Sequence, residues 1–86
     1  MNMTDEEINR LKTRMEDLKS RIIPNLESQS EQLYARIIPL KKDSNEREKL
    51  EAEYKLMSKE LRRRSDEIIN IRRDIENLEF EKSLKH

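Results

Sequence analysis

Residues 50–78, LEAEYKLMSKELRRRSDEIINIRRDIENL, decide the fold. Positions alternately four and three residues apart are apolar through this stretch: Leu50, Tyr54, Met57, Leu61, then Ile68, Ile71, Ile75 and Leu78, with Arg64 the one charged member of the series. That alternation averages 3.5 residues. It lines the side chains up as one narrow stripe on an α-helix, and such a stripe is covered by a second helix in a coiled coil. No Gly or Pro interrupts the chain from Glu46 to Leu84, so one long helix is predicted there.

Outward from the stripe, the flanking positions carry a charge pattern. With Leu40 as heptad position a, position g reads Glu46, Glu53, Glu60, Glu67, Asp74, Glu81, an unbroken acidic line, and position e reads Ser44, Glu51, Ser58, Ser65, Arg72, Glu79. Asp43 and Arg47 fall at core positions of that register.

Toward the N-terminus a second seam appears: Ile8, Leu11, Met15, Leu18 and Ile22. It comes after Thr4-Asp5-Glu6-Glu7, a capping-box pattern in which Thr4 accepts a free backbone N–H and Glu7 reaches back. Pro24 then interrupts, since a proline inside a helix removes a hydrogen bond and crowds the preceding turn. Pro39 repeats the event within a repeated tetrapeptide, Arg21-Ile22-Ile23-Pro24 and Arg36-Ile37-Ile38-Pro39. Each proline is read as a kink, or as the first residue of a new helical segment, where it is tolerated. Between the prolines the seam is read as Leu26, Leu33 and Leu40, with Gln29 and Arg36 at the intervening positions. Leu18, Ile22 and Leu26 are then spaced four and four, a four-residue stutter. Lys41-Lys42-Asp43-Ser44-Asn45 reads as either a turn or a polar layer of a continuous helix, with Asp43 and Glu46 as a further capping box.

The predicted fold is therefore all-α: an elongated coiled coil with kinks or breaks near Pro24 and Pro39, about 130 Å long if fully helical. The alternative is an αα-hairpin turning near Asp43–Asn45. The chain divides into three segments, 1–23, 24–45 and 46–86.

Charge bears on which helices pair. In a parallel, in-register dimer Glu67 meets Arg72, but Glu46 meets Glu51 and Asp74 meets Glu79, which repel. The N-terminal seam is flanked instead by Lys12, Arg14, Lys19 and Arg21. These suit the acidic line of the C-terminal half, in an antiparallel dimer, in a hairpin, or on a separate basic chain. Exposed pairs contribute only tenths of a kcal/mol, so they order these options without deciding among them. Ile75 with Leu78 favours two strands, and Arg64 at a core position weighs against a closed higher-order core.

Composition narrows the function classes. Of 86 residues 44% are charged and 33% hydrophobic, enough for one apolar stripe but not for a helix buried on several sides. Basic and acidic residues balance, eight each in residues 1–43 and eleven each in 44–86. Neither half presents the basic field that nucleic acid or an anionic membrane attracts. The chain has no Cys, and its one histidine is His86. No nucleophile–base pair, metal-ligand set or phosphate cradle is legible, so no enzymatic activity, cofactor, metal or small-molecule substrate is expected.

Arg62-Arg63-Arg64 has too few basic residues for a DNA-binding basic region, and the seam runs straight through it. Arg62-Arg63-Arg64-Ser65 does match the pattern basophilic kinases favour, so Ser65 is a candidate phosphosite; phosphate there would add negative charge beside the acidic line and loosen the coil. Leu56, Ile69, Phe80 and Leu84 lie off the seam, the last two one turn apart, as a second small apolar patch.

On its heptads the chain looks like a segment of the large class of cytoskeletal, centrosomal or spindle-pole, motor-adaptor and vesicle-tether coiled coils. That resemblance implies a structural oligomerisation or scaffold segment of a longer protein, with a helical partner, first of all a second copy of itself. A cytoplasmic, cytoskeleton-associated location is expected, and the composition suits a nuclear one too. The alternative function is a regulated binding module whose acidic flank recruits a distinct basic helix.

Overall fold

The computed structural model describes residues 3–84. Its elements, in order, are α1 (Met3–Asp17), a π-turn (Leu18–Ile22), α2 (Ile23–Ile37) and α3 (Asn45–Leu84). The α1–π–α2 arm is helical throughout. It folds back along α3, with α1 and α2 both packed on it. The result is a helical hairpin of 65 × 17 × 13 Å, half the length of the extended rod. Its radius of gyration is 19.1 Å, against about 12 Å for a compact chain of this length. The hairpin alternative is thus the arrangement observed, with the turn at 38–44 rather than a continuous polar layer.

Neither proline starts a helix as its first residue. Pro24 is the second residue of α2, and the backbone stays in the right-handed helical region on the way in, with φ −68° at Ile22 and −65° at Ile23. What marks the site is the π-turn just before it, where the Ile23 N–H donates to the carbonyl of Leu18, five residues back. A π-turn inserts one extra residue into a helix. Pro39 lies in the turn beyond Ile37, in the place where a proline comes after a helix C-terminus.

The inserted residue corrects the reading of the middle seam. Gln29 and Arg36 are exposed, whereas Ser30, Leu33 and Ile37 are buried. The observed stripe runs Ile22, Leu26, Ser30, Leu33, Ile37, Leu40. It is the regular heptad with one residue added after Ile22, not a four-residue stutter. The π-turn absorbs that residue, so α2 presents the same face to α3 as α1 does.

Two capping assignments also change. The helix already includes Thr4, so Thr4 does not flank its start. At α3 the cap is Ser44, not Asp43. The Arg47 N–H donates to Ser44 Oγ at 3.2 Å, and the Ser44 hydroxyl donates to the carbonyl of Lys41 at 2.9 Å. Arg47, placed at a core position by the heptads, closes the turn instead: its guanidinium donates to the Leu40 carbonyl at 2.8 Å and to Glu51 Oε1 at 2.7 Å. Asp43 is exposed.

The core forms two clusters along one seam. Far from the turn, Ile8 and Leu18 pack with Ile71 and Ile75, joined by Leu11, Met15, Ile22, Ile68 and Leu78. Near the turn, Leu33 and Ile37 pack with Leu50, joined by Leu40 and Tyr54. Leu18, beside the π-turn, is fully buried.

Candidate functional site

The surfaces of a two-helix rod are its seam, the charged flanks beside it and the outer faces. Ile8, Leu18, Leu33, Leu50, Ile71 and Ile75 are buried. Leu11, Met15, Ile22, Leu26, Leu40, Tyr54, Met57, Leu61, Ile68 and Leu78 are half-buried. Every seam residue read from the heptads therefore lies on the covered side of the hairpin. Ser30 and Ile37 also belong to it; a four-residue stutter after Ile22 puts Gln29 and Arg36 in their places, whereas a single inserted residue finds them.

The flanks join the arms by ion pairs. The Arg14 guanidinium donates from Nε to Glu67 Oε2 at 2.8 Å and from Nη2 to Oε1 at 3.3 Å, a two-pronged contact that matches the planar fork to the carboxylate. Arg64 donates to the same Glu67 at 3.3 Å. The hydrogen bond from Arg14 is the main cause that holds the Glu67 carboxyl below its ordinary range, against the opposing effect of partial burial. On the other flank Lys12 Nζ lies 3.6 Å from Glu79, and Lys82 pairs with Asp5.

Of the four basic residues expected to face the acidic line, Arg14 meets a member of it, Glu67, whereas Lys12 meets Glu79 at position e. Arg21 turns back one helical turn to Asp17, 2.8 Å away, and its hydrogen bond lowers the Asp17 pKa. Lys19 is exposed. Glu60 is held within α3 by Arg63 at 3.1 Å and by Arg64 at 2.9 Å. Arg64 Nε is buried and lacks hydrogen-bond alignment to Glu60 despite that separation, although the side chain as a whole is 31% exposed. Among the described residues Glu46, Glu53, Asp74 and Glu81 form no ion pair.

One groove opens between the arms near the turn. Leu26, Leu33 and Met57 form its floor, and Leu56, 66% exposed, stands on its rim. Arg36 and Gln29 project from the α2 wall, Glu53 and Glu60 from the α3 wall. Nearby, Tyr34 and Tyr54 pack with ring centroids 5.8 Å apart. Ile69, Phe80 and Leu84 are exposed on the outer face of α3.

Ser65 is exposed in the middle of α3. One turn before it lies Arg62, exposed and outside the ion pairs of the described residues. His86 lies outside the described residues. Among those described, no three His, Asp or Glu side chains gather as a metal-binding group, and no helix is long and apolar enough to cross a membrane. No family model, curated protein or solved structure matches the chain.

Proposed function

We propose that this chain is a coiled-coil hairpin with a structural role: an oligomerisation and spacing element in a larger cytoskeletal, spindle-pole or centrosomal, motor-adaptor or tethering protein. The observation that carries this reading is α3. Its 40 residues set most of their large apolar side chains on a single seam along a 65 Å rod, with Leu56, Ile69, Phe80 and Leu84 outside it, and the rest of the surface is dense in mixed charge. Such a helix transmits distance and orientation between the parts attached to its ends. Two features add rigidity, the Ser44–Arg47 closure at the turn and the Arg14–Glu67 contact between the arms.

The test is where the chain goes in a cell. A fluorescent fusion is expected to concentrate on filaments, their organising centres or tethered membranes, and Ile71→Asp, which places a charge in the seam, is expected to disperse it. A wild-type fusion that stays diffuse would sink the reading.

A second reading keeps one observation in its favour. Four of the six acidic residues at position g, Glu46, Glu53, Asp74 and Glu81, have no ion-pair partner among the described residues, so a distinct basic helix has charge left to meet. Chemical cross-linking in the cell decides for it if the carboxylates at 53 and 74 join a different chain rich in Lys and Arg.

A further inference from the structure

We propose that the groove near the turn is filled by the same groove of a second copy of this chain, with the two-fold axis along the rod, giving a four-helix bundle. This rests on the oligomerisation role above and names its partner and geometry.

The heights of the groove residues carry the inference. Tyr34 and Tyr54 touch, so they mark one level of the hairpin. In antiparallel helices each step forward on α2 is a step back on α3. Arg36 therefore lies level with Glu53 to within a residue, Leu33 with Leu56, and Gln29 with Glu60. All six line the groove, those of α2 on one side of it and those of α3 on the other. A two-fold axis along the rod keeps every height and exchanges the walls. It sets Arg36 against the second copy's acidic wall at Glu53, Gln29 against it at Glu60, and Leu56 over the apolar floor at Leu33. Every contact then occurs twice, as an isologous interface requires.

The charges are free for this. Arg36 and Glu53 form no ion pair in the hairpin among the described residues, while Leu56 leaves 66% of its surface in water. A two-fold axis across the rod instead stacks α3 on α3 and brings acidic walls together, which costs like-charge repulsion. The chain exposes 6990 Å², against about 5400 Å² for a compact monomer of its mass. That excess of about 1600 Å² on one chain is twice the roughly 800 Å² that a standard interface takes from each partner, so the rod has surface to spare for a second copy.

Sedimentation equilibrium of the full chain over a wide concentration range, with circular dichroism on the same samples, tests it. The expected result is a dimer of twice 10.5 kDa. Leu56→Glu and Arg36→Glu are each expected to weaken it about tenfold or more, roughly the loss of one good contact, with helicity unchanged because both residues are exposed in the hairpin. The double exchange Arg36→Glu with Glu53→Arg restores the pair only for an axis along the rod, and is expected to recover dimerisation. A helical monomer at every concentration overturns the proposal, and so does a dimer indifferent to both single changes. A dimer that the double exchange fails to rescue overturns the axis along the rod. These outcomes are separable from the cellular test: a monomeric chain that still concentrates on cellular structures refutes the bundle and leaves the structural role standing.

Discussion

Leu18 is the most deeply buried side chain among the described residues. It is 0% exposed, it begins the π-turn, and it belongs to the cluster with Ile8, Ile71 and Ile75. Leu18→Ala removes three buried carbon atoms where α3 cannot close the gap without disturbing Ile71 and Ile75. Losses at such sites run about 2–5 kcal/mol. Typical domains hold about 0.05–0.15 kcal/mol per residue, or about 4–13 kcal/mol for this length, and a chain with only seven buried apolar residues among those described belongs at the lower end. The substitution is therefore expected to remove a large share of the total. At roughly 4–8 °C per kcal/mol for a domain of this size, the midpoint falls by about 10 °C or more. Thermal and urea unfolding followed by circular dichroism measure it. Ile69→Ala is the control, since Ile69 is 54% exposed on the outer face and its change belongs within about 0.5 kcal/mol. Equal losses for the two variants, or a Leu18→Ala midpoint within a degree or two of the parent, would mean that the seam does not hold this hairpin together.

Acid is expected to loosen the hairpin with a definite sign. Glu67 and Asp17 are held below the ordinary carboxylate range, so the folded chain binds fewer protons than the unfolded one; their contribution is complete at neutral pH and lost as pH falls below about 4 through the lowered values. The melting midpoint should drop over that window, and Glu67→Gln should flatten the drop; an unchanged pH profile in that variant counts against the Arg14–Glu67 contact. Ser44→Ala removes the cap of α3 and is expected to cost about 1 kcal/mol, read by urea unfolding, whereas Asp43→Ala should cost much less; the reverse order would return the cap to Asp43. Ser65→Glu should change stability by no more than about 0.5 kcal/mol, because the new charge is exposed one turn from Arg62; a larger loss would show that modification at this serine opens the hairpin. Cysteines at 15 and 71, joined by a short bismaleimide at low protein concentration, should link within one chain and leave its mass monomeric; links only between chains would contradict the hairpin.

The helical class and the seam residues were legible because burial repeats every 3.5 residues, and nothing in this low-diversity chain competes with that signal. The direction of the arms was not legible in the same way. Apolar side chains in a stripe fit parallel and antiparallel partners alike, and the charges that order those options without deciding among them, Lys12, Arg14, Lys19 and Arg21, are an uneven guide. Arg14 reaches Glu67, yet Arg21 prefers Asp17 four residues back on its own helix, a local pair that demands less ordering. The turn at 38–44 is legible only as one of two options, a turn or a polar layer, because Asp43 and Arg47 sit in phase with the heptads; the bond from Arg47 to the Leu40 carbonyl shows that the phase there is incidental. Ser30 and Ile37 could have been found from the apolar residues alone. Adding one residue after Ile22 turns Leu26, Leu33, Ile37 and Leu40 into an unbroken continuation of the seam, and it leaves Gln29 and Arg36 outside, where charged and amide groups cost nothing to solvate.

The same tetrapeptide, Arg-Ile-Ile-Pro, runs through at Pro24 and lies at the end of a helix at Pro39, and the difference lies in the residues C-terminal to each proline. A proline within a helix costs about 3 kcal/mol, while each Leu or Ile brought fully out of water returns about 1.5–3 kcal/mol. After Pro24 the stripe continues for three more turns, through Leu26, Leu33 and Ile37, and α3 lies alongside to cover it. Three such side chains outweigh one proline, provided that the helix resumes in register, and the π-turn supplies that register. After Pro39 only Leu40 remains to be buried before Lys41, Lys42 and Asp43, all exposed. Nothing there offsets the proline, so the helix ends, and Ser44 and Arg47 take up the free backbone groups of the turn. Packing on α3, rather than the local preference of the tetrapeptide, decides which proline the helix survives.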